Sequence, residues 1–238
     1  MHQDIEDVLK ERLSAVEARI QAACARSGRR REEVTLVCVT KSVTSDVAAL
    51  LPKLGYPNLG ESRPQELWRK AAALHGEVCW HLIGHLQRNK IERTLPMIGW
   101  IHSVDRWPVL EALEAEAGRI GQTIRVFLEV NASGEVQKQG FDAQELILAK
   151  DRLAPLRNVH IQGLMTMAAL AEDPEAARPT FVALRETRNR LAECLTEPHH
   201  LHHLSMGMTH DFEIALEEGA TMIRVGTALF AGLPGEKT

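Results

Sequence analysis

The feature that most limits the fold is an alternation. Eight short apolar runs along the 238 residues are each followed by a stretch of helical periodicity. The runs are VTLVCVTK (34–41), NLGES (58–62), CWHLIGHL (79–86), GWIHSVD (99–105), TIRVFLEVN (123–131), VHIQGLMTM (159–167), HHLSMG (202–207) and TMIRVG (221–226). Continuous β-branched runs such as the first are typical of parallel strands buried on both faces. The helices between them show proline at a start and glycine at an end, as in PQELWRKAAALHG and WPVLEALEAEAGRIG. One more amphipathic helix precedes the first strand. Ile5, Val8, Leu9, Leu13, Val16 and Ile20 recur at helical spacing and predict it over about 3–26.

Such repetition implies right-handed βαβ units around a parallel sheet. Eight units in 238 residues predict an α/β fold: a single (β/α)8 TIM barrel with an extra N-terminal helix. An open doubly wound sheet is the alternative. The turn after the first strand, VTKSVTSD, lacks the glycines that a dinucleotide-binding version of that sheet requires. Glycines and prolines fall singly at element ends, so residues 1–238 are read as one barrel domain.

Composition narrows the class. With 45% hydrophobic residues, 25% charged residues and a formal net charge of −4, the chain is neither disordered nor suited to nonspecific nucleic-acid binding. The arginines of RSGRRR (26–31) lie between two elements, where a solvated turn is the ordinary reading. No apolar stretch reaches the ~20 residues of a membrane span, and the charged start MHQDIEDVLKERL is unlike a secretory signal. Cys24, Cys38, Cys79 and Cys194 form no C-x-x-C pair, which suits a reduced, cytoplasmic setting. His199, His200, His202, His203 and His210 crowd together, but strand alternation splits the first four between faces. No carboxylate or cysteine completes a ligand pattern there, so no metal site is expected.

In a barrel of this kind the chemistry belongs at the carboxyl ends of the strands. Lys41 ends the first run and shares the parity of Val39, Val37 and Thr35. If that face points inward, its ammonium projects into the mouth, where partial desolvation favours the free amine and Schiff-base chemistry. Position alone favours the alternative, a solvated charge at a strand end. The usual phosphate site of the fold is made by the loops after strands seven and eight. Here those loops read Ser205-Met206-Gly207-Met208-Thr209 and Gly226-Thr227, small and hydroxyl residues that let backbone N–H groups approach an anion. Arg224 shares the parity of Gly226 and Met222. It pairs either with Glu61 or Glu129, or with a ligand atom near the anion site. Lysine, anion loops and arginine together suit an aldehyde that carries a phosphate and a ring nitrogen.

The segments VTLVCVTKSV, LGESRPQE, WHLIGHLQRNK, IHSVDR, GLMTM, LSMGMTHDFEIALEEG and TMIRVGTALFAG resemble the YggS/PROSC family of pyridoxal phosphate homeostasis proteins. The resemblance spans about residues 5–233 and implies a fold type III-like barrel, related to the N-terminal barrel of alanine racemase. It implies that pyridoxal 5'-phosphate (PLP) is held by Lys41 as an internal aldimine, with Arg224 facing the pyridine nitrogen. Ser205, Gly226 and Thr227 are implied in the phosphate cradle, with Met206, Gly207 and Thr209 beside them. Ser62 and Arg63 depart from the commoner Asn-Tyr of the family at that point.

A guanidinium at the pyridine nitrogen disfavours its protonation and makes the ring a weaker electron sink. That suits racemisation with two bases or no catalysis at all, and the short stretch after the eighth strand favours the latter. The resemblance therefore implies a cytoplasmic carrier that buffers PLP or delivers it to PLP-dependent apoenzymes, with no robust catalysis. A barrel-only amino-acid racemase is the alternative. Alanine racemases add a second domain bearing a tyrosine base, whereas only about a dozen residues follow the eighth strand here. The sole tyrosine, Tyr56, lies before strand two, on the approach to the mouth at best. A Schiff-base aldolase is less suited, because strand six carries no lysine. Lys138, after strand five, is a candidate second aldehyde acceptor. A monomer is expected, since no element is left without a core.

Overall fold

The structure, a computed structural model, describes residues 2–133 and 139–233. Lys138 therefore lies outside the described residues. Eight parallel strands close into a barrel in chain order. They are β1 (Thr35–Val39), β2 (Asn58–Glu61), β3 (Cys79–Leu82), β4 (Trp100–Val104), β5 (Ile124–Glu129), β6 (Val159–Met165), β7 (His203–Ser205) and β8 (Met222–Val225). The barrel shuts where β8 pairs with β1, placing Val37 opposite Arg224. The (β/α)8 expectation holds, and the open sheet is ruled out.

Parity along each strand sorts the side chains into two layers. Leu36, Cys38, Leu59, Leu82, Ile101, Val126, Leu164, Leu204 and Ile223 face outward and form the main core beneath the helices. Trp100, Phe127, Met165 and Met222 form a separate apolar layer inside the barrel. The register slips between Ile101 and Val104 on β4, and between Val126 and Phe127 on β5. Such bulges re-aim the residues that follow, here those at the carboxyl ends.

Helices follow the strands as periodicity predicts, with two differences. The segment after β5 breaks into Ala143–Leu148 and Lys150–Leu153, with Asp142 capping the first through the Glu145 N–H. The segment after β3 is an irregular series of short turns, Arg88–Lys90, Ile91–Thr94 and Leu95–Met97. The N-terminal helix, His2–Arg26, packs on the helices Phe212–Glu217 and Thr227–Phe230. Arg12 donates to the Leu229 carbonyl at 3.0 Å, and Arg19 pairs with Glu213 at 2.9 Å while lying over the Phe212 ring.

The RSGRRR segment fastens this arrangement and is not a solvated turn. Arg29 donates to the carbonyls of Leu216 and Ala220, and Arg31 is paired with Glu17 at 2.7 Å. Arg30 is exposed at 78% of its side chain, and Arg26, at 51%, pairs with Glu217 at 2.8 Å. All four cysteines are free thiols. No helix among the described residues is long and apolar enough to cross a membrane.

Candidate functional site

The strands are shorter at their carboxyl ends than the apolar runs, and this sets the mouth. β1 stops at Val39, so Lys41 stands two residues beyond it in a turn and is exposed. No ion pair or hydrogen bond engages its ammonium among the described residues. The residue before it is held firmly. Thr40 is fully buried, its hydroxyl donates to Glu61 Oε1 at 2.7 Å, and its carbonyl accepts from Lys70 Nζ at 2.5 Å. Lys70 also pairs with Glu61 at 2.5 Å, with the two side chains 0% and 1% exposed. Burial pushes the Lys70 pKa down, against the pull of Glu61. A lysine from the helix Pro64–Ala73 thus clamps the backbone that presents Lys41.

The loops after β7 and β8 meet. The Thr209 hydroxyl accepts from the Ala228 N–H at 3.3 Å, joining one loop to the first turn of Thr227–Phe230. Gly207 adopts φ +92°, and a Cβ there would lie 2.6 Å from Ala215 Cβ. Only glycine takes that turn without strain. At Gly226 a Cβ would come within 3.2 Å of the Val39 carbonyl oxygen, so the end of β8 lies tight against β1. The N–H groups of Gly207, Gly226 and Thr227 have no partner among the described residues, and Thr227 is exposed. Met206 is different. Its side chain turns into the outer core and its N–H donates to the Met222 carbonyl, so it offers an anion no donor.

Arg224 is 4% exposed and points into the barrel. It pairs with neither Glu61, which faces outward to Lys70, nor Glu129. Instead Nη1 donates to the Ser205 hydroxyl and Nη2 donates to the Thr166 carbonyl at 2.9 Å. Burial lowers its pKa to about 10, with Glu129 and Asp211 opposing, so it stays charged near neutrality. The Ser205 hydroxyl is occupied within the barrel, which makes it a support for Arg224.

Behind Ser205 runs a polar chain that the sequence reading missed. His102 Nδ1 lies 2.7 Å from Ser205 Oγ, His102 Nε2 lies 2.9 Å from His81 Nδ1, and His81 Nε2 lies 3.0 Å from Asn58 Oδ1. A guanidinium only donates, and an amide oxygen only accepts. The protons can therefore run one way: Arg224 to Ser205, Ser205 to His102, His102 to His81, His81 to Asn58. Each imidazole carries its proton on Nε2. Burial favours these neutral rings, lowering His81 to about 3 and His102 well below its ordinary value.

Tyr56 lies at the amino-terminal floor, beside Glu17, Arg31 and Asn58, because the chain enters β2 from that side. It stands at the opposite end from Lys41. At the mouth, Ser62 and Arg63 follow β2, with Arg63 exposed at the head of the helix Pro64–Ala73. Also at the mouth is Glu129, 7% exposed, whose pKa is raised to about 7 by burial and by Asp105, with Arg224 opposing.

A closed eight-stranded barrel with a lysine at the end of β1 and a buried arginine on β8 defines a class. Residues 12–234 match the family described as alanine racemase, N-terminal domain. Within it, the chain belongs to the family of pyridoxal phosphate homeostasis proteins. The protein of that name from Aquifex aeolicus is 40% identical over 221 residues, covering 92% of this chain and 96% of its own. The human protein of that name is 32% identical over 231 residues, covering 92% and 84%. PipY of Synechococcus elongatus, solved with PLP bound, has 32% identity and a TM-score of 0.80, covering 94% of this chain and all of PipY. Alanine racemase of Clostridium difficile shares the fold, with a TM-score of 0.76 at 16% identity, and 57% of that chain is covered.

Proposed function

We propose that this chain binds PLP at the barrel mouth and serves to buffer the cofactor or deliver it to PLP-dependent apoenzymes. The donor set fits the group: an amine and N–H groups without partners among the described residues, and a buried guanidinium, stand at the carboxyl ends of neighbouring strands β7, β8 and β1. When bound, PLP supplies an aldehyde that condenses with primary amines and a ring that accepts electrons. Lys41 would hold the aldehyde carbon. Arg224 would face the ring nitrogen, and the N–H groups of Gly207, Gly226 and Thr227, with the Thr209 and Thr227 side chains, would take the phosphate.

The observation that carries this reading is the setting of Arg224. Ser205 and the Thr166 carbonyl fix its guanidinium inside the barrel, where a cation disfavours protonation of a facing ring nitrogen. A ring facing it would be a weaker electron sink, which suits either two-base racemisation or holding without turnover. Tyr56 supports the same reading, because at the floor it cannot act as a second base opposite Lys41.

The test is a transfer assay. Loaded protein is mixed with an apo-aminotransferase in the presence of an excess aldehyde trap, and recovery of aminotransferase activity is followed. Recovery that survives the trap supports handover by contact, and recovery abolished by it supports release into solution. Failure of the chain to take up PLP at all would overturn the reading. The chirality of alanine is followed in parallel. Turnover of about 1 s⁻¹ or above would favour a racemase instead.

A further inference from the structure

Glu129 ends β5 just inside the mouth, and nothing engages it. At 7% exposure its carboxyl has neither an ion pair nor a hydrogen bond among the described residues. The charged groups that face it are already committed. From β8, Arg224 is spent on Ser205 and Thr166. From the end of β4, Asp105 is held by Arg106 at 2.8 Å and by His85 at 3.2 Å. Asp211, after β7, acts with Glu129 on Arg224 and already takes the Met208 N–H at 2.6 Å. An ionised carboxyl buried without a partner is costly, so proteins seldom keep one without a use.

The same residue borders an open recess of about 180 Å³, lined also by Val130, Asn131, Gln139, Thr166, Met167 and Ala168. The recess has a buried carboxyl in its lining, with the apolar side chains of Val130, Met167 and Ala168 beside it. Met167, in its lining, is 44% exposed. That profile matches a short alkyl stem ending in a cation.

We propose that this recess receives a primary alkylammonium, with Glu129 as its counter-charge and Met167 and Ala168 against its stem. The proposal rests on the PLP-binding reading for its purpose, since an amine brought there stands beside the group that Lys41 would hold. A free α-amino acid fits less well. Its carboxylate, adjacent to the ammonium, would lie beside Glu129, and like charges at such range repel. The ligand class is therefore an amine without a neighbouring carboxylate: a lysyl side chain within a polypeptide, or a small free amine.

The proposal is tested on protein whose PLP has been fixed by borohydride, so that added amine binds without reacting. Calorimetric titration with butylammonium is expected to show binding that weakens at least tenfold in Glu129→Gln and with rising salt. Butanol is expected not to bind, and L-alanine to bind more weakly than butylammonium. Because burial and Asp105 hold the Glu129 pKa near 7, wild-type binding is expected to tighten from pH 6 to 8, while Glu129→Gln stays flat. A lysine-containing peptide binding more tightly than butylammonium identifies the source as protein. Equal affinities identify free amines. Absence of butylammonium binding to the wild type, or equal binding by Glu129→Gln, overturns the proposal. If the chain takes up no PLP, the unreduced protein is titrated instead, so failure of the cofactor reading is seen separately from failure of the recess.

Discussion

The Ser205 hydroxyl accepts from Arg224 and donates its own proton to His102 Nδ1 at 2.7 Å, so one side chain on β7 joins the mouth to the barrel interior. A hydroxyl has one proton to give, and Arg224 cannot receive it. His102 is therefore what keeps Ser205 turned to accept from the guanidinium.

Replacing His102 by Leu removes that acceptor and also leaves His81 Nδ1 without a donor. Each orphaned buried group costs about 1–3 kcal/mol, so a stability loss of roughly 3 kcal/mol is expected in urea denaturation. PLP affinity should fall about tenfold as Arg224 loses its fixed partner. His102→Gln, which can still accept, should recover part of both. Unchanged affinity in a folded His102→Leu protein would show that Arg224 needs no support from the chain of histidines.

Lys41 bears no structural contact among the described residues, so Lys41→Ala should shift stability by no more than about 0.5 kcal/mol. Its effect should fall on the cofactor alone. Wild-type protein incubated with PLP is expected to absorb in the visible and to lose that band on borohydride treatment, whereas Lys41→Ala shows no reducible band. A reducible chromophore surviving in Lys41→Ala would place the aldehyde on another amine.

The clamp beneath Lys41 behaves differently. Lys70→Met strands the Glu61 carboxylate in the core and should cost about 3–5 kcal/mol, read from urea midpoints. Adding Glu61→Gln removes the charge yet still accepts from Thr40, so the double variant should regain most of that loss. An additive double variant would mean that the two side chains do not act as a pair.

Glu129 also sets a pH dependence. The unfolded chain gives up this proton near 4.5, while the folded chain keeps it until about 7. Folding therefore takes up a proton between those values, and the carboxyl's contribution to stability declines as pH rises through the window, by about 3 kcal/mol in all. Glu129→Gln should match the wild type at pH 4.5 and exceed it by up to that amount at pH 8. On the acid side the histidines act in the opposite sense. His81 is depressed to about 3, so stability is full above its ordinary 6.5 and is lost as pH falls, by up to about 5 kcal/mol. Urea denaturation across pH 4.5–8 checks both limbs.

The barrel was legible because its signal is repeated. Eight apolar runs such as VTLVCVTK, each with a helix behind it, overdetermine the topology even where single boundaries shift by two or three residues. Lys41, Arg224 and the two loops were legible because parity and position in a barrel already assign them to one end. His81 and His102 were not. Inside a strand buried on both faces, a histidine in CWHLIG or WIHSVD shows no periodicity that separates it from its apolar neighbours, and its partners lie on other strands. Lys70 did leave a trace: with Pro64 and Leu67 it falls on the buried stripe of its helix, where a lysine requires an anion. The basic run at 26–31 misled because its partners, Glu17 and the carbonyls of Leu216 and Ala220, are set by tertiary packing.

The N-terminal helix has a consequence for how the chain is made. Arg12 meets the Leu229 carbonyl 217 residues away, and Arg19 meets Glu213 at a separation of 194. During synthesis this helix must wait, its apolar face uncovered, until residues 212–230 have been made. Contacts of such range slow folding and prolong exposure to aggregation. A nascent chain stalled before residue 213 would leave the apolar face of this helix uncovered, so its docking waits on the helices Phe212–Glu217 and Thr227–Phe230.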